Sequence, residues 1–326
     1  MEIPFKVDEI FAVKEQNFNE LALKIFRFQA SNNAVYGKYL AHVGVEIDRI
    51  TSVEDIPFLP VEFFKTHEVL LDHLHAAEDR CFKSSSTTGL GQSCHYFHNS
   101  IWYDTSIALG FNCFYGDSGK WEILTTLPGY NQNPYSSLVY MTEHLGVKHS
   151  DNFLENFQSL MNRLKQAPSN GKLRMVIGVS HALLDFAMEY PGDYSEVVFV
   201  ETGGMKGRRR EITRNELHQI LTSGFEVKHV HSEYGMSELF SQAYSDGGGL
   251  YRCPPWMKVL TREMDDPFKL CKIGITGGVN VIDLANIESC CFIATSDIGK
   301  RHPNGTFEIL GRFDHSEVRG CNVLVS

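Results

Sequence analysis

The central part of the chain, residues 99–235, alternates apolar runs with segments of helical periodicity, and this alternation limits the possible folds most strongly. Runs at 121–125, 173–179, 196–200 and 225–230 predict strands, and segments 101–115, 151–164, 181–190 and 211–221 predict helices. Strands that are apolar along their length are typical of parallel sheets covered by helices on both faces. The sequence therefore predicts an α/β fold built on a mainly parallel sheet.

The two ends of the chain have a different character. Residues 1–54 predict a helical segment packed on the body, because apolar residues recur at helical spacing after Asn17 and Asn19, which suit helix starts. Residues 251–326 predict a β-rich subdomain or a distorted barrel, with strand candidates at 268–271, 279–283, 290–295 and 306–310. We therefore expect three parts, at 1–54, 55–250 (the α/β core) and 251–326.

The composition disfavours several classes of function. Lys plus Arg number 30 against 40 Asp plus Glu, and the formal net charge of −10 opposes binding to nucleic-acid backbones. The eight cysteines include no C-x-x-C pair, which disfavours a zinc site or a disulfide framework and favours reduced thiols. The sequence shows no signal-peptide pattern and no membrane-spanning apolar stretch, so we expect a soluble, cytoplasmic protein.

A hydroxyl-rich segment lies between strand candidates at 80–83 and 93–97, which together predict a hairpin with a long tip. The segment reads S-S-S-T-T-G-L-G over residues 84–91. Hydroxyls and backbone N–H groups of this kind bind phosphate oxygens, although the G-x-x-x-x-G-K-[ST] pattern of a Walker loop is absent. A polar surface loop without function explains the same residues.

Two further motifs follow predicted strands, where open α/β sheets usually bind ligands. The first reads H-S-E-Y-G-M-S-E over 231–238, and its Glu238 suits a divalent metal. An ordinary strand-to-helix turn is the alternative. The second combines T-S-D-I-G at 295–299 with G-R-F-D at 311–314, in which Asp297 and Arg312 suit the diol of a ribose. A simple Asp-x-Gly turn is again the alternative.

The order and spacing of these motifs resemble the adenylate-forming superfamily of acyl and aryl ligases. The resemblance implies the large N-terminal domain of these enzymes as the fold, ATP and Mg²⁺ as cofactors, and a carboxylic acid as substrate. It also implies a nucleotide-binding role for the α/β core, with Glu238 on the metal and Ser237 and Glu238 in catalysis. The nucleotide-contacting residues that it implies are Ser85, Ser86, Thr87, Thr88, Gly89, Gly203, Gly204, Tyr234, Gly235, Met236, Ser237, Asp297 and Arg312.

Within the superfamily, the chain is most similar to the LuxE-type acyl-protein synthetases, which activate long-chain fatty acids. The similarity rests on L-P-V-E-F-F-K at 59–65, L-P-G-Y at 127–130, S-S-L-V-Y-M at 136–141, G-G-M-K at 203–206 and R-G-C at 319–321. It implies transfer of the acyl group to a thiol, with an acyl carrier protein, coenzyme A or an acyl reductase as partner. Cys321, beside Arg319, is the candidate acyl acceptor, and an inert cysteine is the alternative.

Three features depart from the superfamily pattern. Ser86 stands where glycine is usual, and Ser237 replaces a threonine but keeps its hydroxyl. The sequence also ends soon after Arg312, near the point where full-length ligases begin a C-terminal domain that carries a catalytic lysine. We therefore expect this lid domain to be absent, so that another group or a partner replaces its lysine or the activity is impaired.

These observations favour an AMP-forming acid–thiol ligase as the function. An aryl- or acyl-CoA ligase is the alternative within the same fold. A non-catalytic protein that binds adenylates or acts as a scaffold is the alternative outside the enzymes. The basic cluster K-G-R-R-R at 206–210 is either a solvated loop or a docking point for an acidic carrier protein.

Overall fold

The computed structural model describes residues 3–75, 80–84, 91–128, 134–203 and 212–313. Its helices are α1 (Val7–Phe11), α2 (Glu15–Asn32), α3 (Ala34–His42), α4 (Phe63–Thr66), α5 (Ile101–Tyr115), α6 (Ser137–His144), α7 (Phe157–Leu164), α8 (Ser180–Glu189) and α9 (Arg214–Phe225). Its strands are β1 (Leu59–Pro60), β2 (Cys81–Lys83), β3 (Cys94–Tyr96), β4 (Trp121–Thr126), β5 (Leu173–Val179), β6 (Val197–Thr202), β7 (His231–Tyr234), β8 (Ala243–Ser245), β9 (Met257–Arg262), β10 (Thr276–Asp283), β11 (Phe292–Arg301) and β12 (Phe307–Arg312).

The first sheet has the order β4-β5-β6-β7-β8, in which β4 to β7 run parallel and β8 runs antiparallel to β7. Alternate residues of its strands belong to different apolar clusters. Leu124 and Val176 pack with residues of α7, α8 and α9, whereas Ile123 and Met175 pack with residues of α5. Both faces of the sheet are therefore covered, and the predicted α/β fold class is confirmed.

The second sheet has the order β1-β11-β10-β9, with β12 paired to β11. Strand β1 pairs with β11 in parallel, and the other pairings are antiparallel. The strands predicted at 279–283 and 306–310 are present as parts of β10 and β12. The strand predicted at 268–271 is wrong, because the Asp266 carboxylate accepts the Phe268 N–H over 3.0 Å and turns the chain there.

The strand predicted at 225–230 is also misplaced. Helix α9 continues to Phe225, because Leu217, Leu221 and Phe225 are buried on one helical face. Phe225 stacks on Phe199 of β6 with ring centroids 4.0 Å apart. Glu226 ends the helix in a left-handed conformation, with φ of 53°, and β7 begins only at His231. An apolar run can thus include the last residues of a helix, and periodicity alone does not show where the helix ends and the next strand begins.

The helices predicted for the N-terminal 54 residues are present as α1 to α3, and the buried face of α2 packs into the same apolar cluster as the second sheet. The buried Gln29 side chain fixes α2 to the turn between β10 and β11. Its amide donates to the carbonyls of Asn286 and Ile287 over 3.0 Å each, and its oxygen accepts the Cys291 N–H over 2.9 Å. The division of the chain into three parts stays a prediction.

No helix within the described ranges combines the length and the apolar character that a bilayer crossing needs.

Candidate functional site

The hydroxyl-rich segment lies in the sequence between the two strands of the predicted hairpin. Strands β2 and β3 pair antiparallel, with Phe82 opposite His95. The pairing continues past the strands, because the Ser84 N–H donates to the Ser93 carbonyl and the Ser93 N–H donates to the Ser84 hydroxyl, both over 3.1 Å. The hairpin prediction is therefore confirmed. The predicted phosphate-contacting residues of its tip, Ser85, Ser86, Thr87, Thr88 and Gly89, lie outside the described residues.

The parallel strands β5, β6 and β7 end side by side, and the residues that follow them form one polar edge. The Ser180 hydroxyl, directly after β5, lies 2.7 Å from the Gly203 carbonyl and 2.9 Å from Oε2 of Glu201. Gly203 has φ of +70°, a left-handed conformation that glycine adopts without strain. Its predicted neighbour in the site, Gly204, lies outside the described residues.

Tyr234, at the end of β7, joins the two sheets through Asp297 of β11. The Tyr234 hydroxyl donates to Oδ2 of Asp297 over 2.8 Å, and both side chains are buried. The tyrosine ring also packs on Tyr251 and Phe307. Burial, with the nearby charge of Asp297, raises the pKa of the Tyr234 phenol well above its ordinary value, so that it stays a hydrogen-bond donor.

Arg312 lies opposite Asp297 in the register of β11 and β12. Its Nε donates to Oδ1 of Asp297 over 2.8 Å, whereas 68% of its side chain is exposed. The Asp297 carboxylate raises the pKa of the Arg312 guanidinium, which stays charged. The structure therefore brings Tyr234, Asp297 and Arg312 together as one hydrogen-bonded group with its cationic end facing solvent.

The segment after β7 leads from this group to the predicted metal ligand. Gly235 is exposed, and a Cβ at residue 235 would meet Oε1 of Glu233, so a larger residue there would require the Glu233 carboxylate to move. Met236 is half-buried, and its carbonyl accepts the Leu239 N–H over 3.1 Å. This turn places Ser237 beside Glu238, where the Ser237 hydroxyl donates to Oε2 of Glu238 over 3.0 Å.

The Glu238 side chain suits a metal that arrives with a nucleotide. It is buried, and it lies close enough to Arg312 for its charge to contribute to the raised pKa of that guanidinium. The described residues contain no group of three His, Cys, Asp or Glu side chains that would hold a metal by themselves. Mg²⁺ often binds through one or two carboxylates together with substrate phosphates. A single buried carboxylate such as Glu238 fits that arrangement.

Two buried polar residues that were not predicted as site residues, Asn286 and Asp283, hold this segment. Asn286 donates to the Glu238 carbonyl over 2.8 Å and accepts the Phe240 N–H over 2.9 Å. Asp283 accepts the N–H groups of Phe240 and Ser241 over 2.9 Å each. Burial raises the pKa of Asp283 to about 6, although these hydrogen bonds act in the opposite direction. The available signal was the presence of polar residues in the otherwise apolar stretch 279–287.

Two buried carboxylates lie on the strands behind the polar edge. Burial raises the pKa of Glu233 to about 7, with the hydrogen bond from Thr202 opposing the shift and the charge of Glu201 adding to it. Burial would also raise the pKa of Glu201. The hydrogen bond from His218 and the charge of Arg214 outweigh that effect and leave it lowered. The ends of β6 and β7 thus combine an ionised carboxylate with a protonatable one.

Two further predictions fall beyond the described part of the chain. The candidate acyl acceptor Cys321 lies in 314–326, and the whole basic cluster at 206–210 lies in 204–211; both ranges are outside the described residues. The roles assigned to Ser237, Glu238, Tyr234, Asp297 and Arg312 stay predictions, since proximity alone does not establish what they bind.

No protein-family model matches the sequence, and no curated protein matches it. Several solved structures share the fold. ATP-bound MatB from Rhodopseudomonas palustris has a TM-score of 0.54 and 14% identity, over 71% of this chain and 47% of that one. O-succinylbenzoate coenzyme A synthetase (MenE) from Bacillus subtilis, in complex with AMP, has a TM-score of 0.51 and 17% identity, over 74% and 51%.

An open conformation of 2-hydroxyisobutyryl-CoA ligase, in complex with 2-HIB-AMP and CoA, has a TM-score of 0.59 and 12% identity, over 90% of this chain and 73% of that one. These neighbours are enzymes of the adenylate-forming acyl- and aryl-CoA ligase family. The chain spans about half the length of MatB and MenE. At these identities the likeness establishes the fold and leaves the activity of this chain to be argued from its site.

Proposed function

We propose that the chain activates a carboxylic acid with ATP and passes the acyl group to a thiol. The observation that carries this proposal is the placement of Tyr234, Asp297 and Arg312 next to Ser237 and Glu238, at the carboxyl edge of the parallel sheet. The fold is shared with ATP-bound MatB, with MenE in complex with AMP, and with 2-hydroxyisobutyryl-CoA ligase in complex with 2-HIB-AMP and CoA. The residues suited to a ribose, Tyr234, Asp297 and Arg312, lie beside Ser237 and Glu238, which suit a phosphate and its metal. Together they suit a nucleoside triphosphate.

In the first step, a carboxylate oxygen of the acid attacks the α-phosphorus of ATP. The bond between the α-phosphorus and the bridging oxygen breaks, and pyrophosphate leaves with the electron pair. Asp297 would accept hydrogen bonds from the ribose hydroxyls, and Ser237 would donate to the α-phosphate. Mg²⁺ held by Glu238 would neutralise charge on the phosphates. Most of the rate enhancement would come from orientation and electrostatic stabilisation.

In the second step, a thiolate attacks the acyl carbon and AMP leaves. We propose a fatty acid as the substrate, and a protein thiol or carrier thiol as the acceptor, with Cys321 as the first candidate. An acyl carrier protein, coenzyme A or an acyl reductase would be the partner. We also propose a reducing, cytoplasmic setting, because the seven cysteines in the described ranges are all free thiols.

The experiment that tests the proposal is carboxylate-dependent exchange of labelled pyrophosphate into ATP, run over a panel of fatty and aromatic acids. We expect exchange that requires both Mg²⁺ and one class of acid. Formation of AMP and an acyl-CoA product when coenzyme A is added would favour an acyl-CoA or aryl-CoA ligase. Nucleotide binding without exchange for any acid would contradict the proposal and favour the adenylate-binding scaffold.

A further inference from the structure

His95 of β3 connects the hairpin to the segment that carries Ser237 and Glu238. The side chain is completely buried, and its Nδ1 lies 3.0 Å from the Ser237 carbonyl oxygen. The imidazole stacks on Phe240 with ring centroids 4.5 Å apart, and it meets the edge of Phe64 at 5.5 Å. It is thus held between two aromatic rings and one backbone carbonyl.

The contact with Ser237 fixes the chemical form of the imidazole. A carbonyl oxygen only accepts hydrogen bonds, so Nδ1 must carry the proton. Burial lowers the pKa of His95 to about 4, and the ring is therefore neutral near pH 7, with a lone pair on Nε2. This Nε2 is buried and finds no hydrogen-bond partner among the described residues.

A buried nitrogen without a partner costs free energy, whereas a phenylalanine would suit the surrounding rings without that cost. The imidazole therefore contributes something that an apolar ring does not, and the one polar contact that it makes with the described residues is the Nδ1–H bond to Ser237. That bond is the feature to explain.

The peptide groups around Glu238 are held from two different parts of the molecule. His95 binds the carbonyl of Ser237 from the hairpin side. Asn286 binds the carbonyl of Glu238 from the turn between β10 and β11, over 2.8 Å. Since the two carbonyls belong to successive residues, the two hydrogen bonds together hold the backbone from which the Ser237 hydroxyl and the Glu238 carboxylate project.

We propose that His95 is a positioning residue for the adenylation reaction: its Nδ1–H bond to Ser237 sets the Glu238 carboxylate in register with the hairpin that bears the hydroxyl-rich segment. The inference rests on the proposed function. It predicts that loss of the bond impairs the use of Mg²⁺ and leaves the ribose contacts at Asp297 unchanged, because His95 does not touch that group.

Three substitutions separate this role from packing. His95→Asn places an amide nitrogen near the position of Nδ1 and can still donate to Ser237. His95→Gln places its amide nitrogen near Nε2 instead, and His95→Phe keeps the ring and removes both nitrogens. The Mg²⁺ concentration for half-maximal pyrophosphate exchange, and the Mg²⁺ dependence of ATP affinity in calorimetry, are measured for each protein.

We expect the Gln and Phe variants to need about three- to tenfold more Mg²⁺, as for the loss of one hydrogen bond, and the Asn variant to stay within about twofold of wild type. Affinity for adenosine, which keeps the ribose and lacks the α-phosphate, should be unchanged in all three. An Asn variant as impaired as the Phe variant, or three variants with the Mg²⁺ response of wild type, would overturn the proposal.

Two further results keep the test decisive. If the Gln and Phe variants do not fold, ¹⁵N NMR of the wild-type ring decides: a neutral ring protonated on Nδ1 between pH 6 and 8 supports the proposal, and protonation on Nε2 overturns it. If wild type binds ATP with Mg²⁺ but exchanges no pyrophosphate, the proposed reaction fails, while the Mg²⁺ dependence of ATP binding still reports on His95.

Discussion

Asp297 joins Tyr234 and Arg312, because one of its carboxylate oxygens accepts a hydrogen bond from Tyr234 and the other accepts one from Arg312. Replacement by Asn keeps the volume and an acceptor for Tyr234 but removes the charge. We therefore expect Asp297→Asn to weaken ATP or AMP binding by about 1.5–3 kcal/mol, as for a lost charge-assisted hydrogen bond. Isothermal titration calorimetry measures this directly.

The control for this change is Glu308→Gln, which removes a carboxylate from the same sheet. Glu308 pairs with His302 and Lys300, which lie outside the hydrogen-bonded group of Tyr234, Asp297 and Arg312. It should bind nucleotide like the wild type. An Asp297→Asn protein that is folded and binds AMP with unchanged affinity would show that the ribose assignment is wrong.

Glu238 and Glu288 are both buried glutamates, and we expect opposite consequences from replacing them. Glu238→Gln removes the metal's carboxylate charge with little change in volume, so Mg²⁺-dependent turnover should fall at least tenfold while the melting temperature barely changes. Glu288 accepts the backbone N–H groups of His98 and Asn99 over 2.7 and 3.0 Å. Glu288→Gln should lower stability by about 1–3 kcal/mol and leave the Mg²⁺ requirement unchanged.

Pyrophosphate exchange at varied Mg²⁺ and thermal unfolding of the two variants make the comparison. A large loss of stability in Glu238→Gln, similar to that of Glu288→Gln, would show that Glu238 has a structural role instead.

At the scale of elements, the buried carboxylate of β7 predicts a pH dependence of stability. The pKa of Glu233 is about 7 in the folded chain, above its ordinary value of 4.5. Between these values the folded state holds a proton that the unfolded state has released, so stability falls as the pH rises from about 4.5 to 7. The contribution is fully present below that range and is lost above it.

Glu233→Gln removes this titration and keeps the shape. Between pH 4.5 and pH 8, the free energy of unfolding of the variant should rise by roughly 2–3 kcal/mol relative to that of wild type, since one pKa unit corresponds to about 1.4 kcal/mol. Urea unfolding at several pH values tests it. Glu201 titrates in both proteins, so its effect largely cancels in the difference. Parallel pH profiles for the two proteins would contradict the prediction.

The sequence predicted the elements better than the contacts between them. Apolar strands β4, β5 and β6 were found because both of their faces are buried, and periodicity reports that directly. The start of β7 was predicted too early, at residue 225, because the apolar Phe225 is the last residue of α9. The hydrogen bond between Tyr234 and Asp297 joins residues 63 positions apart on different sheets, and no local pattern specifies such a pairing. The role that we propose for His95 also depends on a distant segment, because its hydrogen-bond partner is the carbonyl of Ser237, 142 positions further along the chain.

For the molecule as a whole, the proposed acyl transfer can be tested on the intact chain. Incubation with ATP, Mg²⁺ and a competent acid should give a hydroxylamine-labile adduct in mass spectrometry, and Cys321→Ser should abolish it while the first pyrophosphate release survives. An activated acid reacts with the nearest thiolate that can reach it. An adduct that persists in Cys321→Ser would exclude this acceptor.

Buried cysteines provide the matched control. Burial raises the pKa of Cys290 to about 12 and that of Cys291 well above its ordinary value, so these thiols stay protonated and are poor nucleophiles. Cys290→Ser should keep the adduct. No adduct with any acid, together with active pyrophosphate exchange, would indicate a diffusible acceptor such as coenzyme A or a carrier protein.

The attachment of α2 by Gln29 also has a consequence for biosynthesis. Gln29 bonds to Asn286, 257 positions further along the chain. At 5–20 residues per second, ribosomes need roughly 13–50 s to make that interval, and the apolar face of α2 has no partner on the second sheet during this time. Ribosome-bound chains halted near residue 250 should therefore be cleaved by protease within residues 15–32. Nascent copies of this protein would depend on chaperones at their amino-terminal end until the last strands emerge.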